Sequence, residues 1–451
     1  MFSRLLSNSV TTEQRRTRLK GMEQIGFDPA EPKTALRQLP ERAAVFALYG
    51  AEAHAEPYVG RTPNLRGRLE RLLQPSDKHP RRLQLAGRVR RIEWRATGSE
   101  FESLLVQFSL LGEIFGAEKA LERMHLRAPA FVRFLGSNAY PRVVVTNRPS
   151  QREAEWAYGP FASRAAAERY VDEALKLFLL RRCVEDLEPD PNHPGCVYSE
   201  MKMCLAPCYK GCPDERYAEE AAAVERFLAT RGESRLTVLR AEREAAAERL
   251  DFEQAAAIHA QVQRVEAVRG QAAELVRPLS DLRAVILQAA AEPGEVAVFL
   301  FERGRLRGPA AFSTLGMRIQ NEQSGSSSLF AQPMALEPVP EEQGAGGSDQ
   351  GSGISVGVPP DAAAASTKLP RGMLEARLET ALAGLLAEAE AASAARQGHM
   401  ALLKRWYYRP EAKRVGEIFF PCESGEWPAK AILRGIGRVA AKVIAAIAKP
   451  E

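Results

Sequence analysis

Apolar and polar positions along the chain predict a run of short α/β units rather than one repeated element. Residues 43–49 (AAVFALY) and 56–60 (EPYVG) read as two strands joined by a polar loop. A helical stretch follows from Asn64, with Leu65, Leu69 and Leu72 at helical spacing. Residues 88–96 (RVRRIEWRA) alternate as a third strand, and Thr97 or Ser99 is placed to cap a helix from Glu100 to Phe115. That unit ends near residue 127. Residues 140–146 (YPRVVVT) read as a further strand, YGPF stands at 158–161, and a helix is predicted from Arg164 to Arg182, running into Cys183. From Asp214 to about Gly270 the pattern is helical, with a break at Arg231–Gly232 and one hairpin expected. Residues 281–313 return to β character around a turn at Arg303–Gly304. Residues 321–370, rich in Gly, Ser, Ala, Gln and Pro, read as a disordered linker. The tail holds an Ala-rich helix, the segment LLKRWYYRP, a β-like EIFF and a final helix.

Composition changes this picture in two places. A chain of 451 residues, 45% hydrophobic, has material for about three domains. It contains no run of about 20 apolar residues for a transmembrane helix, and no apolar segment of a signal peptide, so no membrane partner and a cytoplasmic location are expected. The net charge of +5 is mild, but between Arg61 and Arg95 eleven basic residues stand against three acidic ones. Such a patch attracts polyanions by counterion release; the plain alternative is a solvated helical face.

Five of the six cysteines fall within thirty residues: Cys183, Cys196, Cys204, Cys208 and Cys212. In a cytosolic chain such a cluster reads as a metal or iron–sulfur site before it reads as disulfides. Soft thiolates in turn-rich loops suit iron–sulfur or zinc, and the lack of any Cys-x2-Cys pair argues against an ordinary zinc ribbon.

YPRVVVT, YGPF, LFLLRRC, CVYSEMKMCLAPCYKGC and the following Tyr217 resemble the cysteine-bearing segment of UvrC, the incision subunit of bacterial nucleotide excision repair. The resemblance implies a four-iron (4Fe-4S) cluster held by Cys183, Cys196, Cys204 and Cys208. Residues 250–265 (LDFEQAAAIHAQVQRV) resemble the UVR motif, which implies docking to UvrB through Phe252, Glu253, Ala256 and Val262. His259-Ala260 stand where that family usually has Arg-Asp. Upstream, AVFALY…PYVGRTPNLRGRL resembles a GIY-YIG nuclease domain, with Tyr58 in the second half of its signature and Arg68 at the catalytic arginine. DNA contact is then expected from Arg61, Arg66, Arg68 and Arg71.

The chain departs from the GIY-YIG pattern where the chemistry lies. Such a centre uses a tyrosine hydroxyl, an arginine on the phosphate and a glutamate holding one divalent metal. Mg²⁺ or Mn²⁺ prefers anionic oxygen. Here the tyrosine position is Phe46 and the glutamate position is Gln107. Tyr49 lies three residues along a strand from Phe46 and so points to the other face. Glu100 lies two turns from Gln107, about 10 Å along the axis. The C-terminal RNase H-like nuclease of UvrC has no counterpart that supplies its carboxylates, and Gly435-Ile436-Gly437 only superficially resembles a helix-hairpin-helix loop.

The fold expected is a multidomain α/β (α+β) chain: a basic extension (1–39), a GIY-YIG-like domain (40–127), a cysteine segment (128–213), a helical region with the UVR motif (214–270), a β-rich segment (271–320), a linker (321–370) and a helical/β tail (371–451). The function expected is a UvrC-like protein that binds DNA and a UvrB-like partner with an impaired nuclease centre. One alternative is an active single-incision endonuclease, which alone calls for Mg²⁺ or Mn²⁺. The other is an iron–sulfur adaptor or redox sensor that does not bind DNA.

Overall fold

The computed structural model describes residues 21–52, 55–73, 85–149, 151–317, 369–386, 393–422 and 424–447. Residues 1–20, the bases Lys78, Arg81 and Arg82, and all but the last two residues of the 321–370 segment lie outside the described residues.

The first unit is an antiparallel sheet in the order β1-β4-β2-β3, built from β1 (Glu23–Gly26), β2 (Ala44–Gly50), β3 (Tyr58–Thr62) and β4 (Val89–Ala96). A short helix α1 (Pro32–Leu36) precedes β2. Residues 21–39, assigned above to a basic extension, thus supply an edge strand and a helix of this unit. Their pattern was weak because β1 (EQIG) carries one large apolar residue, Ile25. Helix α2 (Leu65–Leu73) is capped by Asn64, whose Oδ1 accepts from Gly67 N at 2.8 Å, and buries Leu65, Leu69 and Leu73 beside Phe46. Helix α3 (Glu100–Phe115), capped by Ser99, covers the other face, where Val106 and Leu110 meet Val45 and Ala47. Helix α4 (Ala117–Arg123) follows.

The middle unit has the sheet β6-β5-β7-β8, from β5 (Ala130–Phe134), β6 (Val143–Thr146), β7 (Ala157–Phe161) and β8 (Arg277–Pro278). Helix α5 (Arg164–Leu175) packs on it and stops seven residues short of the expected end at Arg182. LFLLRR is compatible with a helix, but side chains of a later helix capture its backbone donors. Leu179 N donates to Glu220 Oε1 at 2.7 Å, and Arg181 N to the Tyr217 hydroxyl at 3.3 Å. The chain then makes a one-turn helix, α6 (Val197–Glu200), and a 3-10 turn at Pro207–Tyr209 before α7 (Asp214–Ala229), α8 (Glu233–Glu248) and α9 (Phe252–Gln271). The break at Arg231–Gly232 is left-handed at both residues (φ 54° and 87°), as a helix terminus with glycine favours.

The last unit has the sheet β11-β10-β9-β12, from β9 (Ala284–Ala289), β10 (Glu295–Glu302), β11 (Arg305–Ser313) and β12 (Glu417–Phe419). It is flanked by α10 (Arg371–Leu386), α11 (Ser393–Tyr407) and α12 (Ala429–Ile447). Strand β12 pairs with β9, so the tail completes the sheet of the β-rich segment. Gly435-Ile436-Gly437 lies inside the continuous helix α12 and forms no hairpin loop. In the KRWYYR segment Trp406 is buried with its Nε1 donating to Val415 O at 2.9 Å, and the Tyr408 hydroxyl donates to Pro160 O at 2.9 Å, so both rings serve the core. Phe101 of α3 meets Phe299 and Trp406 with ring centroids 5.2 and 5.3 Å away, which joins the first unit to the last. Helix α11 crosses α3 so closely that a Cβ on Gly398 would lie 2.0 Å from Phe108 Cζ, and only glycine fits there. No described helix is long and apolar enough to cross a membrane.

Candidate metal centre and nucleic-acid interface

Cys183, Cys196, Cys204 and Cys208 come from separate turns, yet all four line one small cavity. Burial is the main force raising the Cys204 thiol, to about 11, and the other three thiols add to it by repulsion. Cys212 is also raised, by burial and then Asp214, but it feels none of the four. Left-handed backbone at Gly195, Ala206 and Lys210 folds the loops around the cavity.

Hydrogen bonds reach the sulfurs, among them Arg181 Nη1 to Cys183 Sγ at 3.5 Å and Ala206 N to Cys204 Sγ at 3.3 Å. Arg181 is 2% exposed and is anchored by Tyr140 O and Glu185 O. Arg182 lines the same cavity, its guanidinium 5.9 Å from the Tyr198 ring centroid, and its buried Nε and Nη2 have no hydrogen-bond partner among the described residues. Four thiols, with hydrogen-bond donors and two unpaired guanidinium nitrogens around them, have the chemistry that an anionic cluster calls for. Among the described residues, no three His, Cys, Asp or Glu side chains are grouped to hold a single ion. Neither arginine was singled out from the sequence, although both adjoin Cys183.

The hairpin of α8 and α9 turns at Leu250 (φ 59°) and packs through Ile258, Val262, Val265 and Val268. Val262, expected in a docking seam, is 3% exposed in the chain's own core, because the seam at this spacing faces α5 and α8. Phe252 is 68% exposed at the tip, with Glu253 and Ala256 also exposed.

In the first unit, β2 and β3 place Phe46 opposite Gly60 and bring its ring centroid to 6.0 Å from that of Tyr58. A Cβ on Gly60 would sit 2.8 Å from Phe46 Cζ, so glycine is what lets the ring lie flat over the strand. Phe46 is 1% exposed, whereas Tyr58 is 41% exposed. Tyr49 packs on the opposite face, under the Arg91 guanidinium at 4.2 Å.

The four arginines differ in freedom. Arg66 donates to Leu39 O at 2.7 Å and pairs with Glu41; Arg71 Nε donates to Gly67 O at 2.9 Å. Arg61 lies 3.5 Å from Glu100. Arg68, half-buried on α2, has no partner among the described residues. Gln107, on α3 across the sheet, is half-buried and shares no hydrogen bond with Phe46, Tyr58 or Arg68.

Residues 131–227 match the family model of the UvrC/Cho excinuclease middle domain, and residues 233–268 match that of the UvrB/UvrC motif. The chain is UvrC-like. It is 28% identical over 294 residues to UvrABC system protein C of Ruminiclostridium cellulolyticum, covering 65% of this chain and 47% of that one. With the protein of the same name from Aromatoleum aromaticum it shares 30% identity over 300 residues, 64% of this chain and 48% of the other. For Alcanivorax borkumensis the figures are 29% over 283 residues, 62% and 46%. This UvrC-like chain thus spans about half the length of the curated relatives it matches. No solved structure matches it significantly.

In the last unit of the UvrC-like chain, two acids of the sheet, Glu417 and Glu302, are met by arginines. Glu417 receives two contacts from Arg438, at 2.8 and 2.5 Å, and Glu302 faces Arg283 at 3.0 Å and Arg307 at 3.7 Å. Carboxylates neutralised in this way offer little to a divalent metal.

Proposed function

We propose that this chain acts in nucleotide excision repair by holding DNA and a UvrB-like partner, without a working GIY-YIG centre. The observation that carries this reading is a thiol-lined cavity and an exposed hairpin tip joined to a first unit whose two reactive positions are Phe46 and Gln107. Water activation lacks a hydroxyl at Phe46, and metal anchoring lacks an anionic oxygen at Gln107. The acid on the Gln107 face of that helix, Glu100, is already shared by Arg61 and Arg409.

Arg68 would then take a backbone phosphate on the α2 side of the sheet, and Arg61, on the α3 side, would take one only once released from Glu100. Phe252, Glu253 and Ala256 would meet the partner's helices. Cys183, Cys196, Cys204 and Cys208 would hold an iron–sulfur cluster, which when bound supplies negative charge and a cross-link between loops that bury few large apolar side chains. Arg181 and Arg182 would balance that charge, and the Tyr217 hydroxyl, which accepts from Arg181 N and donates to Pro141 O, keeps Arg181 in place.

DNA affinity and plasmid nicking, measured on one preparation, test this reading against its two rivals. An active endonuclease binds and nicks; a redox-sensing adaptor does neither.

A further inference from the structure

A cavity of about 570 Å³ opens where the middle unit, the β10–β11 turn and helix α11 meet. Its floor is apolar, formed by Phe131, Leu279 and Met400. Its rim carries three arginines from three elements: Arg148 after β6, Arg303 in the turn and Arg396 on α11. None of these guanidinium groups has a hydrogen-bond or ion-pair partner among the described residues. No Asp or Glu is among the described residues that line the cavity. Of the described acids that adjoin lining residues, Glu302 faces Arg283 and Arg307, Asp281 accepts from Ser280 Oγ at 3.0 Å, and Glu155 is exposed beside Ala154 without itself lining the cavity.

Three cations around one concavity repel each other, and the apolar floor focuses their field into it. The turn holds them there. Arg303 is left-handed (φ 51°), a conformation that suits asparagine or glycine better than a large cation, and the stem of Arg396 lies along Gly304.

We propose that this cavity binds a nucleoside phosphate, with the phosphate on the arginines and the flat base against Phe131, Leu279 and Met400. The volume suits a ligand of that size, and the guanidinium fork matches phosphate oxygens. The site is separate from the arginines of β3 and α2 and from the cysteines, so it stands or falls independently of the repair reading. The nucleotide has two sources, a free nucleotide or the terminal nucleotide of a strand.

The full chain is titrated with fluorescently labelled ADP, followed by competition with unlabelled ADP or a 5′-phosphorylated single-stranded oligonucleotide. Saturable binding is expected, weakened about ten-fold or more by Arg303→Ala with Arg396→Ala. Arg148→Ala, on an exposed residue, should weaken it several-fold and decides the matter if the double variant does not fold. Arg68→Ala should leave ADP affinity unchanged, which separates this site from DNA contact at the first unit. Displacement by the oligonucleotide as readily as by ADP assigns a strand end; displacement by ADP alone assigns a free nucleotide. No saturable binding, or affinity unchanged in the arginine variants, overturns the proposal.

Discussion

Glu100 and Arg409, 309 positions apart in the chain, face each other through two contacts of 2.8 and 2.9 Å. The hydrogen bond from Arg409 is the main force holding the Glu100 carboxyl below the usual carboxylate range. Arg61 lowers it further from β3. The pair fastens the last unit to the helix that carries Gln107, and it occupies the only acid that shares that helix face.

A carboxyl lowered on folding adds stability above its unfolded pKa, near 4.5, and loses it as pH falls through the folded value. Because the Glu100 side chain is 45% exposed, solvent screening limits the pair to about 0.5–1 kcal/mol. Urea melts of Glu100→Gln at neutral pH should show that loss, and the gap to the parent protein should narrow as pH falls below about 4.5.

Purified without oxygen, the protein should be brown, and Cys204→Ala should bleach it and lower its thermal midpoint. Cys212→Ala should keep the colour, since that thiol feels Asp214 and not the other four. Iron and acid-labile sulfide analysis checks both; a colourless protein with stoichiometric zinc contradicts the cluster.

Much of this was legible in the sequence, and the exceptions have causes. The strands around Phe46 and the break at Arg231–Gly232 follow from alternation and turn chemistry. The early end of α5 does not, because Glu220 and Tyr217 capture its backbone donors from forty residues away. Val262 was readable as apolar at helical spacing, but not as facing its own core rather than a partner. The cysteines were legible as a group, whereas the orphaned nitrogens of Arg182 and the Glu100–Arg409 pair exist only after folding. An edge strand with a single apolar residue, such as β1, leaves almost no pattern to read.

DNA affinity should fall steeply with salt, and the slope should identify which arginines touch phosphate. Each lost contact removes roughly one unit from the slope of log affinity against log salt. Arg68→Ala should cost about one unit and Arg61→Ala up to about one more. Arg66→Ala should change it little, because Glu41 and Leu39 O already hold that side chain. Fluorescence anisotropy on a duplex across a salt series gives these slopes.

Restoring the centre should take two changes. Gln107→Glu returns a carboxylate but leaves Phe46 without a hydroxyl, so it should stay at background in a Mn²⁺ nicking assay. Phe46→Tyr with Gln107→Glu should gain measurable nicking. Activity from the single variant would show that the hydroxyl of Tyr58 suffices.

The most direct measurement takes supercoiled plasmid with Mn²⁺ at a protein concentration where a gel shift shows complete binding. The plasmid should be fully bound and remain supercoiled. Nicked plasmid that Arg68→Ala leaves intact would contradict the proposed function, as would a failure to bind DNA at all.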